Sequence, residues 1–210
     1  MTITHPPDHR LRWIEPFAVT GGHVSLIPLE RDHEPQLIEA VKDGKLWDIW
    51  YAAVPSPEGM RQEIERRLRL AEEGTMVPFT VLDADGHVAG MTTYMNVDAA
   101  NRRLEIGYTW YRRSVQRTPL NTEAKLHLLT HAFEQDDCIA VGFRTAFFNM
   151  PSRRAIERLG AKLDGIWRNH LILPDGTLRD TCYYSIINSE WPAVKRHLTW
   201  LLSRSEAEPA

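Results

Sequence analysis

The chain has 210 residues, 43% hydrophobic and 25% charged, with a formal net charge of −3. That length suits one domain with a substantial core, and the composition is that of an ordinary globular protein. The mild acidity removes the general electrostatic case for nucleic acid or an anionic membrane as partner. Two cysteines, Cys138 and Cys182, are too few for a disulfide framework and read as reduced core thiols of a cytoplasmic protein. No apolar run approaches the roughly 18 residues of a membrane span, and the opening MTITHPPDHRLRW has no apolar core of a signal peptide.

Residues 1–22 hold His5, His9, Pro6, Pro7, Pro16 and Gly21-Gly22. They read as an irregular N-terminal arm, pinned to the body by Trp13, Ile14 and Phe17. Its histidines read as exposed arm residues rather than metal ligands. His23–Leu29 alternates Val24 and Leu26 with polar neighbours before Pro28, which predicts an edge strand. Glu30–Lys42 places Leu37, Ile38, Ala40 and Val41 at helical spacing and stops at Asp43-Gly44. Lys45–Val54 is dense in aromatics. Pro57–Gly74 predicts a second helix, with Met60, Ile64, Leu68 and Ala71 on one face and a solvated charged face opposite. Val77–Leu82 and His87–Val97 flank Asp83-Ala84-Asp85-Gly86 as a hairpin. A turn over Asp98–Arg103 leads into a β-branched and aromatic strand at Leu104–Tyr111.

Arg112–Arg117 is a cationic loop. Thr118-Pro119 then marks a helix start, since threonine caps and proline at the first position loses only an orphan N–H. Ala124, Leu128, Leu129, Ala132 and Phe133 continue the helical spacing. Beyond it lie a strand at Ile139–Phe147, a short helix at Pro151–Leu159, and an antiparallel pair, Ala161–Leu173 and Thr177–Ile187, about Pro174-Asp175-Gly176. An amphipathic helix at Glu190–Ser203 closes the chain, with 204–210 as a disordered tail. The order predicts a mixed α/β (α+β) single domain over residues 23–203.

The start of the helix after Arg117 offers unpaired N–H groups and a partial positive charge, with Arg112, Arg113 and Arg117 in the same loop. That combination suits a phosphate; the alternative is a plain strand–helix connection with a solvated basic loop. His127 and His131 stand four apart on the same helix, a spacing that zinc can use. With no HExxH and no third ligand the reading is no metal.

The run EIGYTWY, the Gln116–Asn121 turn and TEAKLHLLTHAFE together resemble the acetyl-CoA-binding core of the GNAT N-acetyltransferases, and within them the RimJ/RimL-like branch. Further matches follow in order: Phe148-Asn149, Ser152-Arg153 and Ala155–Ala161, then Gly165–Arg168, Asp175-Gly176, Arg179-Asp180 and Glu190-Trp191-Pro192. The resemblance covers roughly 23 to 202. It implies a mostly antiparallel twisted sheet of about seven strands whose two middle strands splay, with the pantetheine arm of acetyl-CoA in the gap.

Carried over residue by residue, the resemblance puts the pyrophosphate cradle at Gln116, Arg117, Thr118, Pro119, Leu120, Asn121 and Thr122. It puts the pantetheine contacts on the backbone of Thr109, Trp110 and Tyr111 and on Asn149. Pro119 departs from the family's usual glycine and removes one donor N–H, which implies weakened or rearranged phosphate binding. Acetyl transfer needs a neutral amine, a donor for the tetrahedral oxyanion and a proton for the departing thiolate. Glu105 is the candidate base, its alternative being a structural pair with Arg102 or Arg103. The family's usual tyrosine acid is replaced by Ile156, and Ser152, three residues past Asn149, takes its place in the resemblance; Tyr108 and Tyr111 are weaker alternatives. Trp47, Trp50 and Tyr51 read as core or as a wall of the acceptor pocket.

The function this implies is acetyl transfer from acetyl-CoA to a primary amine, a protein N-terminus or a small molecule, by direct attack within a ternary complex. The rival readings are a non-catalytic CoA-binding or interaction protein of the same fold, and an enzyme using another acyl-CoA. A homodimer through the final hairpin or the last helix is a further expectation.

Overall fold

The computed structural model describes residues 13–207; His5, His9 and the last three residues of the expected tail lie outside them. One eight-stranded sheet runs through the molecule in the order β1-β2-β3-β4-β5-β6-β8-β7. Its strands are β1 (Val19–Thr20), β2 (Val24–Pro28), β3 (Met76–Asp83), β4 (Val88–Asp98), β5 (Arg103–Tyr111), β6 (Ala140–Ala146), β7 (Lys162–Ile172) and β8 (Leu178–Ile187). Every neighbouring pair is antiparallel except β5 with β6. The eighth strand is the correction: the end of the expected arm pairs with β2, so β2 is one strand in from the edge. Trp13, Ile14 and Phe17 do pack onto the main core, and Trp13 Nε1 donates to Asp136 O.

Five helices cover the sheet: α1 (Glu34–Lys42), α2 (Met60–Glu72), α3 (Leu120–Glu134), α4 (Met150–Arg158) and α5 (Trp191–Ala207). The last reaches to residue 207, so 204–207 belong to a helix and not to a tail. Alternation in the strands sorts two cores. Val77, Phe79 and Val81 of β3, Leu104 and Ile106 of β5, Val141 and Phe143 of β6 and Cys182, Tyr184 and Ile186 of β8 pack with α3, α4 and α5. Met91 of β4 and Trp110 of β5 pack on the other face with Leu37, Val41, Met60 and Ile64 of α1 and α2. Both cysteines are buried, free thiols.

The feature that positions everything else is where β5 and β6 part. They pair in parallel only at Arg103–Ala140, Leu104–Val141 and Glu105–Gly142. Beyond Glu105, β5 keeps β4 as its neighbour up to Tyr111, while β6 keeps β8 up to Ala146. A wedge opens between them, edged by one free backbone side of each strand. A bulge sits beside it: Met91 and Thr93 of β4 face Trp110 and Gly107, so one residue opposes two. Tyr108 takes φ +47°, a left-handed conformation rare for a bulky residue. Arg67, fully buried, holds it there by donating to Tyr108 O at 3.1 Å while bonding Glu63 and Thr93.

Candidate active site

Glu105 stands at the fork of the wedge, on the face opposite α3, and is 9% exposed. Its Oε2 lies 2.5 Å from Nε of Arg144 on β6, yet no donor is aligned with that oxygen. The contact is therefore one of charge rather than a directed hydrogen bond, and that oxygen keeps capacity to accept a hydrogen bond. The partner is not Arg102, which pairs with Asp137. Gly142 makes the arrangement sterically feasible. A Cβ there would meet the Tyr183 hydroxyl at 2.4 Å and Glu105 Cγ at 2.9 Å, so the bare glycine lets both side chains lie over β6. Arg144 also lies over the Trp167 ring at 5.8 Å, and Trp167 stacks on Tyr183 at 5.2 Å. Burial, with the Glu105 charge adding to it, pushes the Tyr183 phenol up.

On the helix side, Ser152 lies in the first turn of α4 and its N–H donates to Asn149 Oδ1 at 3.1 Å. Asn149 is thus the N-cap of α4, which occupies the oxygen and leaves its amide N–H groups available to a ligand. Glu105 and Ser152 accordingly approach the wedge from opposite faces of the sheet.

The loop before α3 is less cationic in effect than in sequence. Arg112 is committed to Asp83, Nη2 to Oδ2 at 2.5 Å, and to Val88 O. Arg113 packs along Gly44, where an added Cβ would meet its Cβ at 2.7 Å. Arg113 and Arg117 are exposed and neither makes an ion pair among the described residues; Arg117 takes φ +65°. Pro119 precedes the first helical residue, and Thr118 Oγ1 accepts from Leu120 N at 3.4 Å. Gln116 reaches back to Tyr111 O. Arg158, at the end of α4, donates to Thr122 Oγ1, tying the end of that helix to the start of α3. Asn121 and Thr122 stand in the first turn of α3, where backbone N–H groups have no helical partner.

The aromatic segment divides. Trp47 is partly buried and packs against the α1/α2 core. Trp50 is 57% exposed, lies edge-on to Tyr51 at 5.4 Å and reaches Phe148 after β6 at 6.0 Å. That contact joins the two sides of the wedge. Tyr111 is buried, which pushes its phenol well up, and Tyr108 lies under Arg66 at 4.6 Å. Tyr111 is thus poorly placed to give up a proton. His131 bonds Asp136 and stacks on Phe17, and an added Cβ at Gly21 would meet His127 Nε2 at 2.6 Å. Both histidines thus pack against the first hairpin and arm. Sequence reading missed Arg144, Trp167, Arg179 and Tyr183. The alternation of β8 held a signal: Thr181, Tyr183 and Ser185 must oppose Cys182, Tyr184 and Ile186 across the sheet.

A wedge between two parallel strands, closed on one side by a helix start and on the other by a carboxylate, suits a donor and an acceptor that meet through the sheet. Residues 23–162, well over half the chain, match the family described as acetyltransferase (GNAT) domain. The chain belongs to the GNAT acetyltransferase family. A Bacillus subtilis (strain 168) protein provisionally named ribosomal N-acetyltransferase YdaF is 35% identical over 111 residues, 53% of this chain and 60% of that relative. The match thus spans less than two thirds of that protein's length. A GCN5-related N-acetyltransferase from Brucella melitensis shares the fold at TM-score 0.77 and 32% identity, over 90% of this chain and 86% of that one. Mycobacterium smegmatis RimJ, solved with CoA-disulfide, shares it at TM-score 0.72 and 23% identity, over 85% and 88%. The RimJ/RimL-like character read from the motifs agrees with these relatives, and the GNAT fold expected from them is the fold observed.

Proposed function

We propose that this GNAT protein is an acetyl-CoA-dependent N-acetyltransferase whose acceptor is a primary amine, foremost a protein N-terminus. The observation that carries this reading is the wedge, where β5 and β6 separate after three residue pairs with Glu105 at the fork. The pyrophosphate of acetyl-CoA fits the N–H groups of Thr118, Asn121 and Thr122 with Arg117 beside them. The pantetheine amides fit the free edge of Thr109–Tyr111 and the Asn149 amide. The acceptor enters from the Glu105 face, where Trp50, Tyr51 and Phe148 line the way in.

In this reading Glu105 takes a proton from the ammonium, directly or through water. The neutral amine nitrogen attacks the thioester carbonyl, the C–N bond forms, and the C–S bond breaks. Ser152 gives a proton to the thiolate and is reprotonated, through water, by the proton that the attacking nitrogen sheds as the amide forms. An α-amine, with an ordinary pKa near 7.7–8.0, asks less of this base than a lysine near 10.4, and the name of the Bacillus relative favours the same class. A small amine is the runner-up. The chemistry and the relatives favour a cytoplasmic setting; no helix among the described residues is long and apolar enough to cross a membrane. The edge strand β7 exposes Leu163, Ile166, Leu171 and Ile172, which suits a second copy and a homodimer; light scattering tests this.

Pro119 favours one rival, a non-catalytic CoA binder, because it removes a donor from the cradle. Calorimetric titration with acetyl-CoA, followed by mass spectrometry of N-terminal peptides, separates the two. Saturable binding weakened by Arg117→Glu, with acetyl appearing on the α-amine, is expected. Binding without turnover on any amine favours the rival, and no binding at all sinks both.

A further inference from the structure

The sheet face that carries Glu105 also carries two arginines, Arg144 and Arg179. Arg144 lies against Glu105. Arg179 of β8 points the same way by strand alternation, two and four residues from Thr181 and Tyr183. Among the described residues Arg179 has no ion pair, and its Nε is buried with no hydrogen-bond partner. A guanidinium N–H withdrawn from water and left unpaired is costly, and the nearby Arg144 adds like-charge repulsion to the burial, both drawing the Arg179 guanidinium's pKa down. His170 adds no compensating negative charge; its ring bonds Thr181 Oγ1 at 3.0 Å, and burial and the two arginines draw its pKa down. By contrast, the neighbouring Asp180 is already taken by Arg168 and the Asn169 N–H.

We propose that Arg179, with Arg144 beside it, binds a carboxylate of the acceptor, so that the amine acetylated at Glu105 belongs to a molecule bearing an acidic group a few ångströms away. This rests on the acetyltransferase reading above. The anion is the acceptor's and not the donor's, because the α3 start that suits the pyrophosphate lies on the other face of the sheet. Guanidinium–carboxylate geometry is bidentate and directional, so Arg179 sets specificity, while Trp167 and Tyr183 form the floor on which the acceptor lies. An N-terminus followed closely by Asp or Glu meets the requirement, and so does a free amino acid through its own carboxylate.

The test compares isosteric acceptors at saturating acetyl-CoA: peptides with Asp or Asn at the second position, and free aspartate or asparagine against their carboxyamide forms. The acidic member is expected to have a kcat/KM about 10- to 100-fold higher, because a site built for a hydrogen-bonded partner rejects the analogue that lacks it. Arg179→Met should bring the ratio near one through KM, with acetyl-CoA affinity kept. Arg179→Lys should restore part of it. Preference in the peptide pair alone assigns the group to a protein N-terminus, and preference in the free amino acids alone to a small substrate. Equal rates for acidic and neutral acceptors with the parent protein would overturn the proposal, as would a loss of acetyl-CoA affinity in Arg179→Met with the ratio intact. If no amine is acetylated, the N-acetyltransferase reading itself fails and this inference with it.

Discussion

The two halves of the sheet are built to different specifications. From β2 to β5 both faces are covered, by α1 and α2 on one side and α3 on the other. The cations buried there have fixed uses: Arg67 is 0% exposed and holds the bulge with three partners. From β6 to β7 only the α3–α5 face is covered. The opposite face keeps Glu105, Arg144, Trp167, Arg179 and Tyr183 within reach of one another, with an orphaned Arg179 Nε. The Arg179 Nε and Glu105 Oε2 without hydrogen-bond partners lie where a ligand can complete them, whereas Arg67 is fully bonded where the fold must hold. Changes in the covered half should therefore move stability, and changes in the open half should move rate or specificity.

Glu105→Gln gives the largest contrast. It should lower kcat about 10²- to 10⁴-fold, the usual scale of a lost general base, while acetyl-CoA affinity by calorimetry and the melting temperature stay close to the parent's. A large loss of stability would place Glu105 with the structural half. Arg67→Met is the converse. It orphans Tyr108 O and Thr93 and should cost about 3–5 kcal/mol in denaturant unfolding, as broken buried pairs do.

Lys125 of α3 sharpens the same comparison. It is 5% exposed; its Nζ donates to the hydroxyls of Thr92 and Thr109, at 3.2 and 3.1 Å, and lies 6.0 Å from the Tyr111 ring centroid. With no carboxylate nearby, burial lowers it from 10.5 to about 7. The unfolded chain thus holds a proton between those values that the folded chain releases. The lysine's penalty is absent above about 10.5, grows as pH falls towards 7 and is constant below it. Lys125→Met leaves Thr92 and Thr109 bonded to each other at 2.8 Å. It should raise stability at neutral pH by on the order of 4 kcal/mol, a gain that fades as pH rises. Urea melts at several pH values check this, and a gain independent of pH would contradict it. Trp50→Ala, at the exposed rim, is the mildest change: KM for the acceptor should rise a few-fold with stability unchanged.

Local signals made much of this legible. Thr118-Pro119 and the apolar spacing from Ala124 to Phe133 identify α3 within two residues of its start, since caps and periodicity are properties of a short window. The fork carboxylate was also readable, because Glu105 lies near the start of a strand that the family motif identifies. What failed depends on distant parts of the chain. Arg144 is paired with Glu105 because Glu105 lies opposite Gly142 in a parallel register, which no window of β6 reveals. Arg112 counted as an anion ligand by composition, but Asp83, at the end of β3, claims it. Trp47 and Trp50 are three residues apart in an irregular segment without the periodicity that would tell inside from outside. The two-residue β1 carries too little pattern to be seen at all.

Amide hydrogen exchange with and without saturating coenzyme A tests the central claim most directly. If the wedge receives the cofactor arm, protection should rise at Thr109–Tyr111 and across the 116–122 cradle, and remain unchanged in β7. Saturable binding that leaves those amides exchanging as before, or protects β7 instead, would contradict it.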